Sequence, residues 1–567
     1  MGAARMMATG RYGTRHDDAE RYGTRTPARS GGIAAGLGRL SRRITLLDGW
    51  RRLLVAMLAG GTIGLAHAPF DWSLTLLIAF PILVLLLDGT VPPQGFGLFR
   101  RLFAPFAVGW SFGFGMYTGG FWWIGHAILV SGGGGGASGL EWLAPLAGPG
   151  LAAVLALFTG AATALARQFW TNGITRVLVL GAAWGLFEYA RAHVATGFPW
   201  NAIGYAAMPT PLLMQSVAAL GLDAINVLTV WAAAALALLF DRRTRIVGVL
   251  LPVLLIGAHA GFGWWRLDGA VVEPSGTTVR VVQPAIPQDE KWNEQARLDV
   301  FRTLVDLSTA PGTDTTNPPD VIVWPETAFP FVLPDTPEAL AVLDDALGAD
   351  QTLLAGGVRP EGVDGERLWF NALFAVDGEG RIADSRDKVH LVPFGEYLPF
   401  PDLFRRIGLE RLVEAPGDFT PALRRETLLT PEGTVWLPLV CYEVIFPHGL
   451  EAAGETPTAI LNITNDAWFG PTPGPWQHMR QARVRSVETG MPLVRSANDG
   501  VSAVIDPYGQ LVAGLTHGVR GSFEAELPRP IATPFTAMRA MPLFWLLIAF
   551  AFAIVPIEAW WERRVRA

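Results

Sequence analysis

Apolar residues fall into two regimes along the chain. Between about residues 53 and 265 they come in long runs, near 53–68, 72–87, 103–125, 151–166, 177–190, 212–240 and 246–265, and one more run stands alone at 541–561. Runs of this kind predict membrane helices, although several fall short of the ~20 residues that an untilted span needs. From about 270 to 530 the period changes. Short β-branched runs (Thr278–Val282, Val321–Val323, Thr352–Gly356, Leu373–Val376, Val435–Val440, Ala459–Asn462, Leu493–Arg495, Ser502–Asp506) alternate with amphipathic stretches at 290–309, 337–347 and 476–489. That alternation predicts an α/β domain with strands buried between helix layers. Ahead of both regimes, residues 1–47 are rich in Arg, Gly, Ser and Thr and predict a disordered tail.

Charge adds an orientation. Arginines mark the N-terminal tail, Arg100/Arg101, Arg167/Arg176, Arg242/Arg243/Arg245 and Arg563/Arg564/Arg566, while the alternate loops 66–71, 126–150 and 191–211 are nearly free of Lys and Arg apart from Arg191. The alternation predicts a multi-pass bundle of eight spans with both termini in the cytoplasm. The expected organisation is therefore a tail at 1–47, a seven-helix membrane domain at 48–266, a catalytic domain outside the cytoplasm at 270–530 and a last span at 541–561. Ser41-Arg42-Arg43-Ile44 looks like a twin-arginine export signal. Asp48, Arg51 and Arg52 interrupt its apolar run, so these arginines read as orientation signals. Small-residue spacings (Gly60/Gly64, Gly109/Gly113, Gly115/Gly119) predict close helix packing. Glu188 and Arg191, one turn apart, read as a mutual ion pair or a substrate contact. The segment Thr196–Asn201 reads as interfacial anchors, or as the shape of an entrance for lipid.

Composition agrees with a membrane part joined to a soluble one. Half of the residues are hydrophobic, 17% are charged and the mean hydropathy is +0.32, too apolar for an ordinary soluble enzyme. A net charge of −6 gives no reason to expect nucleic-acid binding. The nine histidines are scattered, with no HExxH or Cys/His cluster, so neither a metal nor a cofactor is expected.

One cysteine occurs in 567 residues. Cys441 ends the apolar run Leu437–Val440, where a thiol faces a pocket while a strand fixes its backbone. Glu326 follows the β-branched run Val321–Val323 and a Trp-Pro, and Lys388 sits between a strand-like segment and a loop. Taken singly each has a plainer reading: a small buried hydrophobe, a surface carboxylate, a solvated lysine. Together, all three at strand ends, they are the parts of a covalent acyl-transfer site. A thiol with a pKa near ~8.5 needs a base or a positive field to attack. Glu326 takes the proton if burial raises its pKa towards the working pH, and Lys388 holds the tetrahedral oxygen. The Gly/Pro-rich stretch 469–475 reads as a mobile lid or as a plain connection.

These residues lie in stretches that resemble a known family. Glu326 in WPET, Lys388 in DKVHLVPFGEYLPF and Cys441 in CYE are similar to the Glu-Lys-Cys triad of the nitrilase (carbon–nitrogen hydrolase) superfamily. Within it the chain resembles the apolipoprotein N-acyltransferase family from about residue 48 onward. Supporting stretches are AHAPFD at 66–71, TGFPWN at 196–201, VQPAIPQDEKW at 282–292 and NITNDAWFGPTPGPWQHMRQAR at 462–483. The resemblance implies an αββα sandwich beside the membrane bundle and a multi-pass protein of the bacterial inner membrane with its catalytic domain periplasmic. It implies a phospholipid donor, a Cys441 thioester and a diacylglyceryl apolipoprotein acceptor, with the protein a monomer. It also marks Glu396 and Glu443 as further carboxylates of the site, catalytic or structural, and Trp292 and Tyr442 as aromatics at the pocket. Two rival readings stand beside it, a membrane-tethered amidase or nitrilase and an inactive nitrilase-like binding module.

Overall fold

The computed structural model describes residues 33–90, 97–131, 141–288, 291, 295–312, 318–363, 366–400, 402, 406, 418–533 and 537–566. Trp292 and residues 1–32 of the tail lie outside them.

Two six-stranded sheets form the centre of the second half. In chain order the strands are β1 (Pro274–Gln283), β2 (Val321–Val323), β3 (Thr352–Val363), β4 (Glu366–Val376), β5 (Ile382–Asp387), β6 (Leu428–Leu429), β7 (Val435–Val440), β8 (Ala459–Thr464), β9 (Leu493–Ala497), β10 (Ser502–Ile505), β11 (Leu511–Leu515) and β12 (Gly521–Pro528). One sheet runs β12-β1-β2-β3-β4-β5 and the other β11-β10-β9-β8-β7-β6. Strands β1, β2 and β3 are parallel neighbours, as are β7, β8 and β9, and antiparallel strands flank both groups. β7 and β8 are buried at every position, as parallel strands covered on both faces must be. That is why β7 reads in the sequence as an unbroken apolar run, and β8 as one broken by the buried polar residues Asn462 and Thr464.

The sheets face each other through Val279, Val281, Val323 and Leu354 on one side and Trp436, Val440, Leu461 and Ile463 on the other. The outer face of the first sheet (Val282, Ile322, Leu353, Phe374) packs on Phe301, Leu304 and Leu343 of helices Arg297–Thr309 and Pro337–Ala346. The outer face of the second (Leu437, Leu439, Ile460, Leu493) packs on Met479 and Ala482 of helix Gly474–Thr489. The result is an αββα sandwich. Its last layer is continuous with the helical half, because Phe121, Trp123, Trp184 and Trp200 belong to the same apolar core.

Helices fill each apolar run of the first half and the last run. Among the described residues four are long and apolar enough to cross a membrane: Glu141–Gln168, Val217–Phe240, Arg245–Leu267 and Met541–Trp561. Close packing replaces side-chain volume at the glycine spacings. A Cβ on Gly60 would come within 1.9 Å of the Phe112 carbonyl oxygen, and one on Gly115 within 1.9 Å of that of Met57, so two helices touch backbone to backbone. At the last helix, Glu558 accepts bonds from Thr171 Oγ1 (2.6 Å) and from the amides of Ile174 (2.9 Å) and Thr175 (3.0 Å). It thereby satisfies the open start of helix Thr175–His193.

Three local expectations change. Residues 33–45 form a helix where a disordered tail is expected. Composition missed it because the few apolar residues, Leu37, Leu40 and Ile44, recur at helical spacing, and Ile44 reaches the core. The short runs at 352–356 and 373–376 belong to a longer hairpin, β3–β4, whose outer half mixes charged and apolar residues. Arg359 holds it to β5 with paired bonds to Asp387 at 2.9 and 2.6 Å. In Thr196–Asn201, Trp200 is no interfacial anchor: it is buried, its ring 5.1 Å from that of His478. Arg191 carries this segment by donating to the carbonyls of Phe198 and Trp200, while Glu188 neutralises it. The Glu188–Arg191 pair is thus a mutual one that props a loop.

Candidate active site

Glu326, Lys388 and Cys441 meet between the sheets. Glu326 follows β2 in a turn that β3 crosses at very short range. A Cβ on Gly356 would stand 2.7 Å from the Glu326 Cα, so only glycine lets that strand pass. The Glu326 carboxylate accepts from Asn371 Nδ2 at 2.8 Å, Lys388 Nζ at 3.2 Å and the Asn465 amide at 3.1 Å, and its charge acts on the Cys441 thiol. Lys388, just past β5, also donates to Glu396 Oε1 at 3.0 Å. Asn371 Nδ2 bridges the same two carboxylates, reaching Glu396 at 2.7 Å.

Cys441 begins a short 3-10 turn, Cys441–Ile445, directly after β7. Its φ is +52°, a left-handed conformation that a non-glycine residue adopts only when its surroundings hold it there. Those surroundings are fully buried. Thr464 Oγ1 lies 3.2 Å from the sulfur, while Asn462 Nδ2 (3.4 Å) and His478 Nε2 (3.2 Å) meet the Cys441 carbonyl oxygen. Behind them Asp466 binds His478 Nδ1 at 2.9 Å and Arg495 Nη2 at 2.6 Å. The backbone strain at the nucleophile is thus opposed by a network of side chains with no exposed surface.

Electrostatics set the resting state. Burial pushes the Cys441 thiol far up, and the Glu326 charge adds to it against the pull of Lys388. Burial also raises Glu326, but Lys388, Asn371 and Lys291 outweigh it and hold the carboxyl below its ordinary range. The expected rise of Glu326 towards neutral pH is therefore reversed. Glu396 goes the other way: burial and Glu326 raise it beyond what Lys388 takes back. The pair is split into a firm anion and a weaker acid. The site rests as thiol and carboxylate.

Glu443 and Tyr442 hold parts of the site without touching the sulfur's partners. Glu443 accepts from the amides of Val389 (3.0 Å), His390 (3.0 Å) and Val440 (2.7 Å), and from both Arg425 nitrogens at 2.9 Å. It ties the strand before Cys441 to the loop after Lys388. Tyr442 donates to the Gly197 carbonyl at 3.0 Å, fastening the nucleophile turn to the helical half. Tyr442→Phe strips that buried carbonyl of its donor. It is expected to cost about 1–2 kcal/mol, read as a lower thermal unfolding temperature. The 469–475 stretch is docked as well: Phe469 lies between Trp123 (4.8 Å) and Trp200 (5.5 Å), and Gly470 lies against the His126 ring. Trp123 and Trp200 both donate to Gln477, at 3.1 and 3.0 Å, and Arg480 binds Asp71 at 2.8 Å. Helix Gly474–Thr489 thus faces the nucleophile with His478 and the helical bundle with Gln477 and Arg480.

Sequence reasoning missed Asn371, Lys291, Thr464, Asn465, Asp466, His478 and Arg495. Most lie inside the stretches 282–292 and 462–483 that carry the resemblance, so a signal existed at that level. For Asn371, a polar residue in an apolar strand, and for Arg495 the only cue was a polar residue within an apolar run.

Sandwich and site together define a member of the carbon–nitrogen hydrolase superfamily. Residues 278–534 match the family described as Carbon-nitrogen hydrolase, and residues 59–235 match the Apolipoprotein N-acyltransferase N-terminal domain. The chain is 47% identical to the apolipoprotein N-acyltransferase of Brucella melitensis over 87% of its own length and 93% of that protein. It is 43% identical to the Agrobacterium fabrum enzyme of the same name, over 92% and 98%. An amidase structure from Nesterenkonia sp. is 21% identical over 46% of this chain and 94% of that one, with a TM-score of 0.32. The chain belongs to the apolipoprotein N-acyltransferase family.

Proposed function

We propose that the chain moves an acyl group from a phospholipid to the α-amine of the diacylglyceryl-cysteine that begins an apolipoprotein. Cys441 Sγ attacks the ester carbonyl as Glu326 takes the thiol proton. Collapse expels the lysophospholipid oxygen, which receives that proton, and leaves a thioester on Cys441. The amine then attacks the thioester, gives a proton to Glu326 and forms the amide, and the departing thiolate takes the proton back. Lys388 keeps Glu326 and Glu396 in place and turns a further N–H to the tetrahedral oxygen. Glu396 sets the charge of Lys388, and Glu443 and Tyr442 support the pocket.

The observation that carries this reading is the joint between site and bundle: the nucleophile turn is bonded through Tyr442 to a loop of the apolar helices. Moving a ~15-methylene acyl chain into water costs about 12 kcal/mol at ~0.8 per CH₂, so such a chemistry belongs at a bilayer surface. The same dryness protects a thioester from hydrolysis. Eight spans, cytoplasmic termini and a periplasmic catalytic domain complete the proposal, supported by the arginine alternation. The domain limits at 48–266, 270–530 and 541–561 follow the change in periodicity, and the protein is taken to act as a monomer in the inner membrane. The test is incubation of the purified protein with labelled phospholipid and no amine. An intact-mass increase of one acyl group, lost in Cys441→Ala, is the expected result. Release of free fatty acid without an adduct would instead mark a hydrolase.

A further inference from the structure

Lys291 is a second buried ammonium in this site, and the two-step scheme does not use it. Only 2% of it is exposed. Its Nζ donates to the carbonyl oxygen of Glu326 at 2.9 Å, and its charge acts on the Glu326 carboxylate and the Cys441 thiol. Lys388 differs in one respect: it is bound to two carboxylates, at 3.2 and 3.0 Å. Among the described residues no carboxylate stands within ion-pair distance of Lys291.

Counting charge shows what this difference does. With Glu326 and Glu396 ionised, Lys388 and Lys291 bring the resting site to neutrality. When the thiol proton moves to Glu326, a negative charge appears on sulfur and then on the tetrahedral oxygen. Lys388 stays paired with Glu396, so the cation left to balance the new charge is Lys291. Without it a dry cavity would carry a net negative charge at every stage, which opposes attack by an anion. We infer that Lys291 is a positioning residue of the acylation step, a cation that no described carboxylate pairs and whose field carries the charge that leaves Glu326. The inference rests on the acyl-transfer reading above and assigns that same site a fourth charged residue.

A pH signature follows. Burial lowers Lys291 to about 8, against the pull of Glu326 and Cys441. The groups facing it titrate elsewhere. Glu326 is lowered, Cys441 and Lys388 are pushed well up, and Asp466 is held at about 2. Glu396 is raised from the acid side and His478 is lowered by burial and Arg495. Glu443, below its ordinary range, and its partner Arg425 stand one layer further out. Above pH 8 Lys291 loses its charge, and acylation falls with it.

The experiment follows the rate of the Cys441 acyl adduct with labelled phospholipid alone, which removes the titrating amine of the acceptor. Wild type is expected to slow about tenfold per pH unit above 8. Lys291→Met is expected to be about 10²-fold slower at pH 7, with no alkaline fall. A Lys291→Met rate within about threefold of wild type would overturn the inference, and so would a flat wild-type profile from pH 7 to 9.5. If Lys291→Met does not fold, the wild-type profile decides alone. Absence of any adduct in wild type would instead sink the acyl-transfer reading, and the inference with it.

Discussion

Glu326→Gln should lower the rate of Cys441 acylation about 10⁴-fold, the upper range for loss of a general base. Both carboxylate oxygens accept: one from Asn371 and Lys388, the other from the Asn465 amide. A glutamine must turn its NH₂ towards one of these donors whichever way it is flipped, so the variant loses the base and sets two donors face to face. The measurement is adduct formation followed by intact mass. A variant within tenfold of wild type would remove Glu326 from the base's role. Stability gives an independent check with a definite sign. The folded pKa of Glu326 lies below the ordinary value, so its ionisation stabilises the fold above the unfolded pKa of about 4.3. That contribution is lost as pH falls through the lower folded value. Glu326→Gln should therefore lose less stability than wild type on acidification below about pH 4.

What the sequence shows and hides follows from where its residues stand. β7, β8 and β9 were legible because parallel strands covered on both faces are mostly apolar, and Glu326 and Cys441 because each follows such a strand, whereas Lys388 follows β5, a half-buried edge strand. Strands β11 and β12 and the outer β3–β4 hairpin were not, since half-exposed residues such as Leu511, Val512, Glu524 and Arg359 break the period. The supporting network was hidden for another reason. Asn462, Thr464, Asp466, His478 and Arg495 are polar residues with no exposed surface, and a linear reading puts such residues on the outside. Their burial is stable only because each satisfies another, and that pairing joins positions up to 33 residues apart. The direction of the Glu326 shift was hidden likewise, because burial alone predicts a rise. It took Asn371 from another strand and a second lysine from another loop to reverse it.

Glu443→Gln tests the tie between the two halves of the site. The Glu443 carboxylate is, among the described residues, the counter-charge for Arg425, whose side chain is 8% exposed, and it takes up three backbone amides besides. Burial raises its pKa, but Arg425 and those amides outweigh this and hold it low, so it is ionised at neutral pH. Removing one partner of a buried pair leaves the other uncompensated, at about 3–5 kcal/mol. That corresponds to a fall of about 10 °C in unfolding temperature for a domain of this size. Acylation should fall about 10²-fold too, since Val389 and His390 fix the loop that carries Lys388 and Val440 fixes the strand that carries Cys441. The double variant Glu443→Gln/Arg425→Met separates the two contributions. With the orphaned guanidinium gone, stability should return in part, as it does when both members of a buried pair are replaced. Acylation should stay low, because the Val440 N–H still meets an amide where it had a carboxylate. A double variant no more stable than Glu443→Gln alone would show that the amide contacts, and not the ion pair, hold the Cys441 strand against the Lys388 loop.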